Sequence, residues 1–216
     1  TCVRVISGDT LTEFDRTGKL TTKYQATMNS FDNSYLFSDD TVTVANWITC
    51  PHSSLRSVNP NYYPSPKQLL PISEIYERLL PMVGLCIDYL NPLQERNRGA
   101  ELHALICQHL GYSVYEDDGS YPDIANQLLE IKLQTSPTID LGLHSPEDGA
   151  PIVTIGNTTF YSGDVRYVIF DGSVEGHYIR LNRLYVVAGY EFANHFPLFK
   201  GQNAKIQLPL PTNFFD

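Results

Sequence analysis

The stretch "LLEIKLQ", residues 128–134, constrains the fold most. Leu129, Ile131 and Leu133 alternate with Glu130, Lys132 and Gln134, a period of two that a strand keeps on one face and a helix does not. The segment therefore reads as a strand whose apolar side enters a core, while its other side gathers an acid, a base and an amide at the edge of a cleft. Asp123, in the preceding "YPDIANQ", stands seven positions before Glu130. That separation lets the chain turn back and set two carboxylates side by side.

Strand and helix signals surround this segment. Within residues 1–50, "CVRVI", "TTKYQATM", "YLF" and "TVTVANWI" are rich in β-branched and aromatic residues and are predicted strands. Residues 51–71 hold five of the 14 prolines and read as a connecting loop. The spacing of Ile72, Ile75, Tyr76, Leu79 and Leu80 predicts a helix starting at Ser73 or the turn before it. Pro81 interrupts it ahead of a second short helix ending near Leu90. Residues 96–112 form a longer helix with the apolar stripe Ala100, Ala104, Leu105, Cys107 and Leu110, stopped at Gly111. "YSVY" is the next strand and "EDDGS" a turn; after "LEIKLQ" comes a polar loop, 135–149. Strands "PIVTIG", "TTFY", "RYVIF" and "YIRLNRLYVV" follow, the last two joined by "DGSVEGH", then a short helix at "EFANHFPLF" and a strand at "AKIQLPL". This order predicts an α/β (α+β) fold, a mixed central sheet flanked by helices, with 71–216 as the core and 1–70 as a β-rich N-terminal extension.

Composition narrows the class. No apolar run approaches the roughly 18–20 residues that span a bilayer, and the N-terminus lacks a signal-peptide layout, so a cytoplasmic protein without a membrane role is expected. The chain opens on Thr1, as a piece excised from a longer protein would. Cys2, Cys50, Cys86 and Cys107 are scattered and form no CxxC pair, which points to neither a zinc site nor a disulfide framework. A net charge of −9 argues against gripping nucleic acid with the whole surface. Residues 96–176 carry 12 acidic against 4 basic side chains, whereas 177–216 carry 2 against 4. Such a clustered excess is either a solvated face or a cation site.

Two adjacent carboxylates repel unless a proton or a cation lies between them. A hard divalent ion such as Mg²⁺ takes carboxylate oxygens and waters. Lys132 beside it would orient or deprotonate a water, or stabilise charge on a phosphoryl group, which is the equipment for phosphodiester hydrolysis. An exposed Glu/Lys pair with an unrelated turn aspartate is the plainer alternative. Glu101, early in the long helix, suits the helix macrodipole or the same site.

The order of a helix with Glu101, a strand, "YPD" with Asp123 and "LEIK" with Glu130 and Lys132 resembles the PD-(D/E)XK nuclease superfamily, to which most type II restriction endonucleases belong. The resemblance spans residues 95–135, extends through the strands to about residue 190, and does not reach residues 1–70. It implies a restriction-endonuclease-like fold with Asp123, Glu130, Lys132 and Glu101 as the catalytic set. Mg²⁺, with Mn²⁺ as a substitute, would be held by Asp123, Glu130, Glu101 and the Ile131 carbonyl. Asp118 would replace Asp123 if the "EDDGS" turn were displaced. The implied activity is site-specific cleavage of double-stranded DNA, leaving 5′-phosphate and 3′-hydroxyl ends, by a homodimer in a prokaryotic cytoplasm.

DNA contacts are expected from Gln134, either a site glutamine or a strand-end polar residue, and from Thr135, Ser136 and Thr138 in the following loop. His177, Arg180 and Asn182 would line a groove-facing hairpin, with Ile179 and Leu181 turned away and Arg183 open between the two sides; Lys200, Asn203 and Lys205 would add a basic rim. Arg166 is open between DNA contact and an ion pair with Asp164 or Asp171. His144 reads as a surface histidine, and Tyr62 and Tyr63 as loop packing. Three other functions compete: a structure-specific or nicking repair endonuclease, a glycosidase using an acid pair without Lys132, and a DNA-binding module with an inert nuclease-like core.

Overall fold

The computed structural model describes residues 3–7, 10, 22–28, 35–49, 54–88, 95–115, 118–199, 205–206 and 214, by backbone alone at 22, 23, 35, 95–100, 205 and 206. In chain order its elements are β1 (Thr22–Thr27), β2 (Tyr35–Phe37), α1 (Val42–Ala45), α2 (Ile72–Leu79), β3 (Cys86–Asp88), α3 (Glu95–Leu110), β4 (Leu129–Gln134), β5 (Thr138–Gly142), β6 (Pro151–Ile155), β7 (Thr158–Tyr161), β8 (Arg166–Glu175), β9 (Tyr178–Ala188), α4 (Gly189–His195) and β10 (Lys205–Ile206). The fold is mixed α and β, as the element order predicts.

A long antiparallel hairpin, β8 with β9, forms the centre of a five-stranded sheet. Strand β4 lies parallel to β8, with Glu130 opposite Tyr167 and Lys132 opposite Ile169. On the far side, β9 pairs with β2 in parallel along Leu184–Val186 and with β3 antiparallel along Tyr178–Arg180. After Arg166, the run "YVIF" is aromatic and apolar because both faces of β8 are covered. One face, with Val168, Phe170, Leu129, Ile131, Leu181 and Val186, packs on Ile75, Tyr76 and Leu79 of α2 and on Leu102, Ile106 and Leu110 of α3. The opposite face, with Tyr167, Ile169, Tyr185 and Val187, lies under Phe192 of α4, Phe196, and Ile139 and Leu141 of β5. Strand β1 pairs with β5 and β10, and a separate hairpin joins β6 and β7. The first seventy residues thus supply β2 to the central sheet and β1 to the sheet of β5.

Several elements differ from expectation for physical reasons. "TVTVANWI" contains helix α1 instead of a strand: the Thr41 hydroxyl accepts the Val44 N–H at 3.2 Å and caps the turn. Val44 and Trp47 are buried, with Trp47 edge-on to Phe160 at 5.1 Å, so packing overrides β-branched propensity. The helix expected to end near Leu90 is replaced by β3, because Gly84, at φ +93°, turns the chain and donates its N–H to Leu181 at 2.7 Å. "YSVY" forms no strand, since Tyr112 is drawn into the core and its hydroxyl donates to Asn126 at 2.8 Å. The loop 135–149 contains β5, whose Ile139 and Leu141 alternate with half-buried Asp140. Residues 3–6 are irregular, with Val3 and Val5 exposed. The buried stripe of α3 is Leu102, Ile106, Cys107 and Leu110; Ala104 and Leu105 are half-buried, and the Ala100 side chain is outside the described set. Cys86 and Cys107 are free thiols, whereas Cys2 and Cys50 lie outside the described residues. Tyr62 and Tyr63 are exposed.

Arg166 has neither expected role. It is fully buried and donates to the Gln127 carbonyl, at 3.1 Å from Nε, to the Leu70 carbonyl, and to Asp40 at 3.4 Å. Asp164 instead accepts the Tyr161 N–H, and Asp171 lies 3.9 Å from Arg183. Burial pulls the guanidinium below its usual pKa, and Asp40 opposes the shift. Removing one partner of a buried pair leaves the other charge uncompensated, so Arg166→Met is expected to lose about 3–5 kcal/mol of stability in urea unfolding. Arg180→Met, at an exposed position, is expected to stay within about 0.5 kcal/mol of the parent.

Candidate active site at the edge of strand β4

Among the described residues strand β4 is the last strand of its sheet, and the chain before it folds back along its outer edge. Leu128 adopts a left-handed conformation, φ +50°, at a cost of roughly 1–2 kcal/mol, and reverses the chain. Ile124 and Leu129 then exchange both backbone hydrogen bonds, at 2.9 and 3.1 Å. The reversal carries Asp123 alongside the strand, where its Oδ2 accepts the Ile131 N–H at 2.7 Å. The N–H of Asp123 donates to Glu130 Oε2 at 3.3 Å, and Lys132 Nζ lies 2.8 Å from Glu130 Oε1. Three of the four expected catalytic residues therefore meet as one connected group. Because the Ile131 N–H faces Asp123, strand geometry turns its carbonyl to that same edge.

Glu130 does not stand at an open cleft: it is 6% exposed, on the sheet face that carries Tyr167. Burial, opposed by Lys132 and reinforced by Asp123, pushes its pKa up to about 7. Lys132 is also largely enclosed. Burial disfavours its charge, but Glu130, Asp123 and Asp140 outweigh this and hold its pKa above the usual lysine value. The pair therefore favours the charged form of Lys132, while burial shifts Glu130 toward its neutral form.

Aromatic groups close the site on two sides. The Tyr121 hydroxyl lies 2.9 Å from that of Tyr167, and the Tyr121 ring stacks on His144 at 4.0 Å and 11°. His144 is therefore half-buried and packed, not a free surface histidine. His103 of α3 places Nε2 3.6 Å from Asp123 Oδ2. Glu101 is directed elsewhere: its pKa is raised by burial and by Asp88, whose N–H donates to it. Asp118 caps its own turn by accepting the Ser120 N–H at 2.9 Å, so Asp123 is the acid beside Glu130. Among the described residues, no group of three or more His, Cys, Asp and Glu side chains is gathered as a metal site, so Glu101 does not join Asp123 and Glu130. The donors brought together are two carboxylates and the Ile131 carbonyl edge. All are oxygens, matching Mg²⁺, which is usually held by one or two carboxylates and completed by water.

The residues expected to touch DNA fall into two groups. Gln134 is buried at the end of β4, opposite Asp171. Thr135 and Ser136 are exposed in the turn that follows, and Ser136 Oγ donates to the carbonyl of half-buried Thr138 at 3.4 Å. Beyond Asp171 the β8–β9 hairpin continues past the end of β4, with exposed His177 at its tip. Arg180 and Asn182 are exposed there and Ile179 and Leu181 buried, the predicted alternation. Arg180 lies 4.0 Å from Glu175, and Asn182 donates to Ser173 at 3.1 Å. Lys200 and Asn203 lie outside the described residues, and Lys205 is described by backbone alone. Sequence reasoning missed His103, Tyr121 and Tyr167; only Tyr121, beside the "PD" pair, carried any local signal.

Comparison with protein-family models, curated proteins and solved structures finds no match to this chain. The geometry itself generates a pH prediction. A carboxyl group whose folded pKa is raised to about 7 favours the fold fully below the unfolded value of 4.5, and that contribution disappears as pH rises through 7. Lys132, shifted upward, stays charged across this window. In metal-free buffer, the fall in Tm between pH 5 and pH 8 is therefore expected to be smaller for Glu130→Gln than for the parent; equal falls would remove Glu130 as the buried titrating group.

Proposed function

We propose that this chain is a Mg²⁺-dependent endonuclease that hydrolyses phosphodiester bonds of double-stranded DNA at a specific sequence, a type II restriction endonuclease or its catalytic portion, on a restriction-endonuclease-like core. The observation that carries this reading is the joining of Asp123, Glu130 and Lys132 through the Ile131 edge of β4. A glycosidase acid pair would leave the buried Lys132 without a purpose.

Asp123 and Glu130, with the Ile131 carbonyl, would hold the cation. Their mutual repulsion, one reason the Glu130 pKa is raised, is relieved by a positive charge between them. Mg²⁺, when bound, supplies Lewis-acid neutralisation of charge on the phosphoryl oxygens. Lys132, kept charged by its neighbours, orients the attacking water and stabilises negative charge building on the phosphoryl group. The water oxygen bonds to phosphorus and gives up a proton as the P–O3′ bond breaks; the 3′ oxygen takes up a proton from solvent and leaves as a hydroxyl, and the phosphate stays on the 5′ end. Thr135 and Ser136 would contact the backbone near the cut, and Arg180, Asn182 and His177 would read the groove from the projecting hairpin. Cutting both strands at a palindromic site requires two such centres, hence a homodimer.

Cleavage of phage and plasmid DNA with Mg²⁺, with EDTA and with Lys132→Ala tests this reading. Discrete fragments are expected with Mg²⁺ or Mn²⁺ and none with EDTA. Lys132→Ala is expected to lose at least about 10²-fold in rate, the scale for one positioned electrostatic group. Nicks without discrete fragments would favour a structure-specific nicking enzyme, and binding without cleavage in all conditions would indicate an inactive recognition module.

A further inference from the structure

Helix α3 reaches the site through His103, to which neither the strand pattern nor the family resemblance assigns a role. The side chains of His103 and Asp123 are 12% and 19% exposed, with Nε2 3.6 Å from Asp123 Oδ2. That oxygen also accepts the Ile131 N–H at 2.7 Å, so it is approached from both strand and helix. The imidazole stands edge-on to Tyr115, with ring centres 6.1 Å apart, which fixes its plane. Glu101 lies two positions earlier on the same helix, and residues two apart do not share a helical face. This accounts for Glu101 meeting Asp88 while His103 meets Asp123.

We propose that His103 is the positioning residue of the cation-binding carboxylate: it fixes the rotation of Asp123 so that the acid faces the β4 edge with Glu130. The proposal rests on the metal-dependent nuclease reading above. The 3.6 Å separation is longer than a hydrogen bond, and contacts of this kind often tighten only in the working complex.

The test is Mn²⁺ titration of the full chain, followed by the electron paramagnetic resonance of free Mn²⁺, for the parent, His103→Phe and His103→Gln. Plasmid cleavage at increasing Mg²⁺ and thermal melts accompany it. His103→Phe keeps the ring against Tyr115 but lacks the nitrogen, and is expected to weaken Mn²⁺ binding about 10–100-fold, the usual loss for an outer-shell partner. Its cleavage should recover as Mg²⁺ is raised. His103→Gln, with an amide nitrogen near the place of Nε2, is expected to restore most of the affinity. If His103→Phe does not fold, His103→Asn, whose amide falls short of Asp123, replaces it. Mn²⁺ binding unchanged in His103→Phe, or a glutamine variant as weak as phenylalanine, overturns the proposal while leaving the nuclease reading intact. A parent chain that neither binds Mn²⁺ nor cuts DNA overturns both.

Discussion

The architecture depends on one buried guanidinium. Arg166, at the start of β8, gathers the carbonyls of Leu70 and Gln127 and the carboxylate of Asp40, while its backbone N–H donates to the Leu128 carbonyl at 2.7 Å. It thereby joins the N-terminal segment, the reversal that presents Asp123, and the strand against which β4 is registered. Gln127 strengthens the same junction by accepting the Leu70 N–H at 2.9 Å. A charge removed from water is tolerated here because several polar groups from separate segments answer it.

From this junction the chemistry follows by register. The parallel pairing of β4 with β8 sets Glu130 over Tyr167 and Lys132 over Ile169, under a covered face of the sheet. Enclosure raises the acid and would lower the lysine, and their 2.8 Å contact keeps the lysine charged. The carboxylate is thus held close to the pH at which small changes in its surroundings alter its charge.

Period-two patterning made the key strand legible, and with it the shared face of Glu130 and Lys132, as it did the hairpin alternation at Ile179 to Asn182; helices α2 and α3 were legible from 3.6-residue spacing instead. The turn bringing Asp123 back was foreseen from spacing alone, although its device, a leucine in left-handed conformation, has no sequence signature. What failed was whatever depended on distant partners. Thr41 to Trp47 reads as strand until Phe160 is known to cover it, and Arg166 reads as a surface cation until Asp40 is known to be near. Glu101 and His103 sit on one helix, and choosing between them required the phase of α3 against β4, which the half-buried Ala104 and Leu105 show was misjudged.

The hydrogen bond from Ile131 to Asp123 has another consequence. A terminal strand exposes unpaired N–H and C=O groups on which a foreign strand can dock, and long apolar edges invite association between chains. Here Ile124 covers Leu129 and the Asp123 carboxylate covers Ile131, so the first half of the β4 edge is closed by a bridge and by a carboxylate. Asp123, which stands beside Glu130, also keeps this stretch of strand from serving as a template for another copy. An acid at this position is therefore favoured by solubility as well as by chemistry.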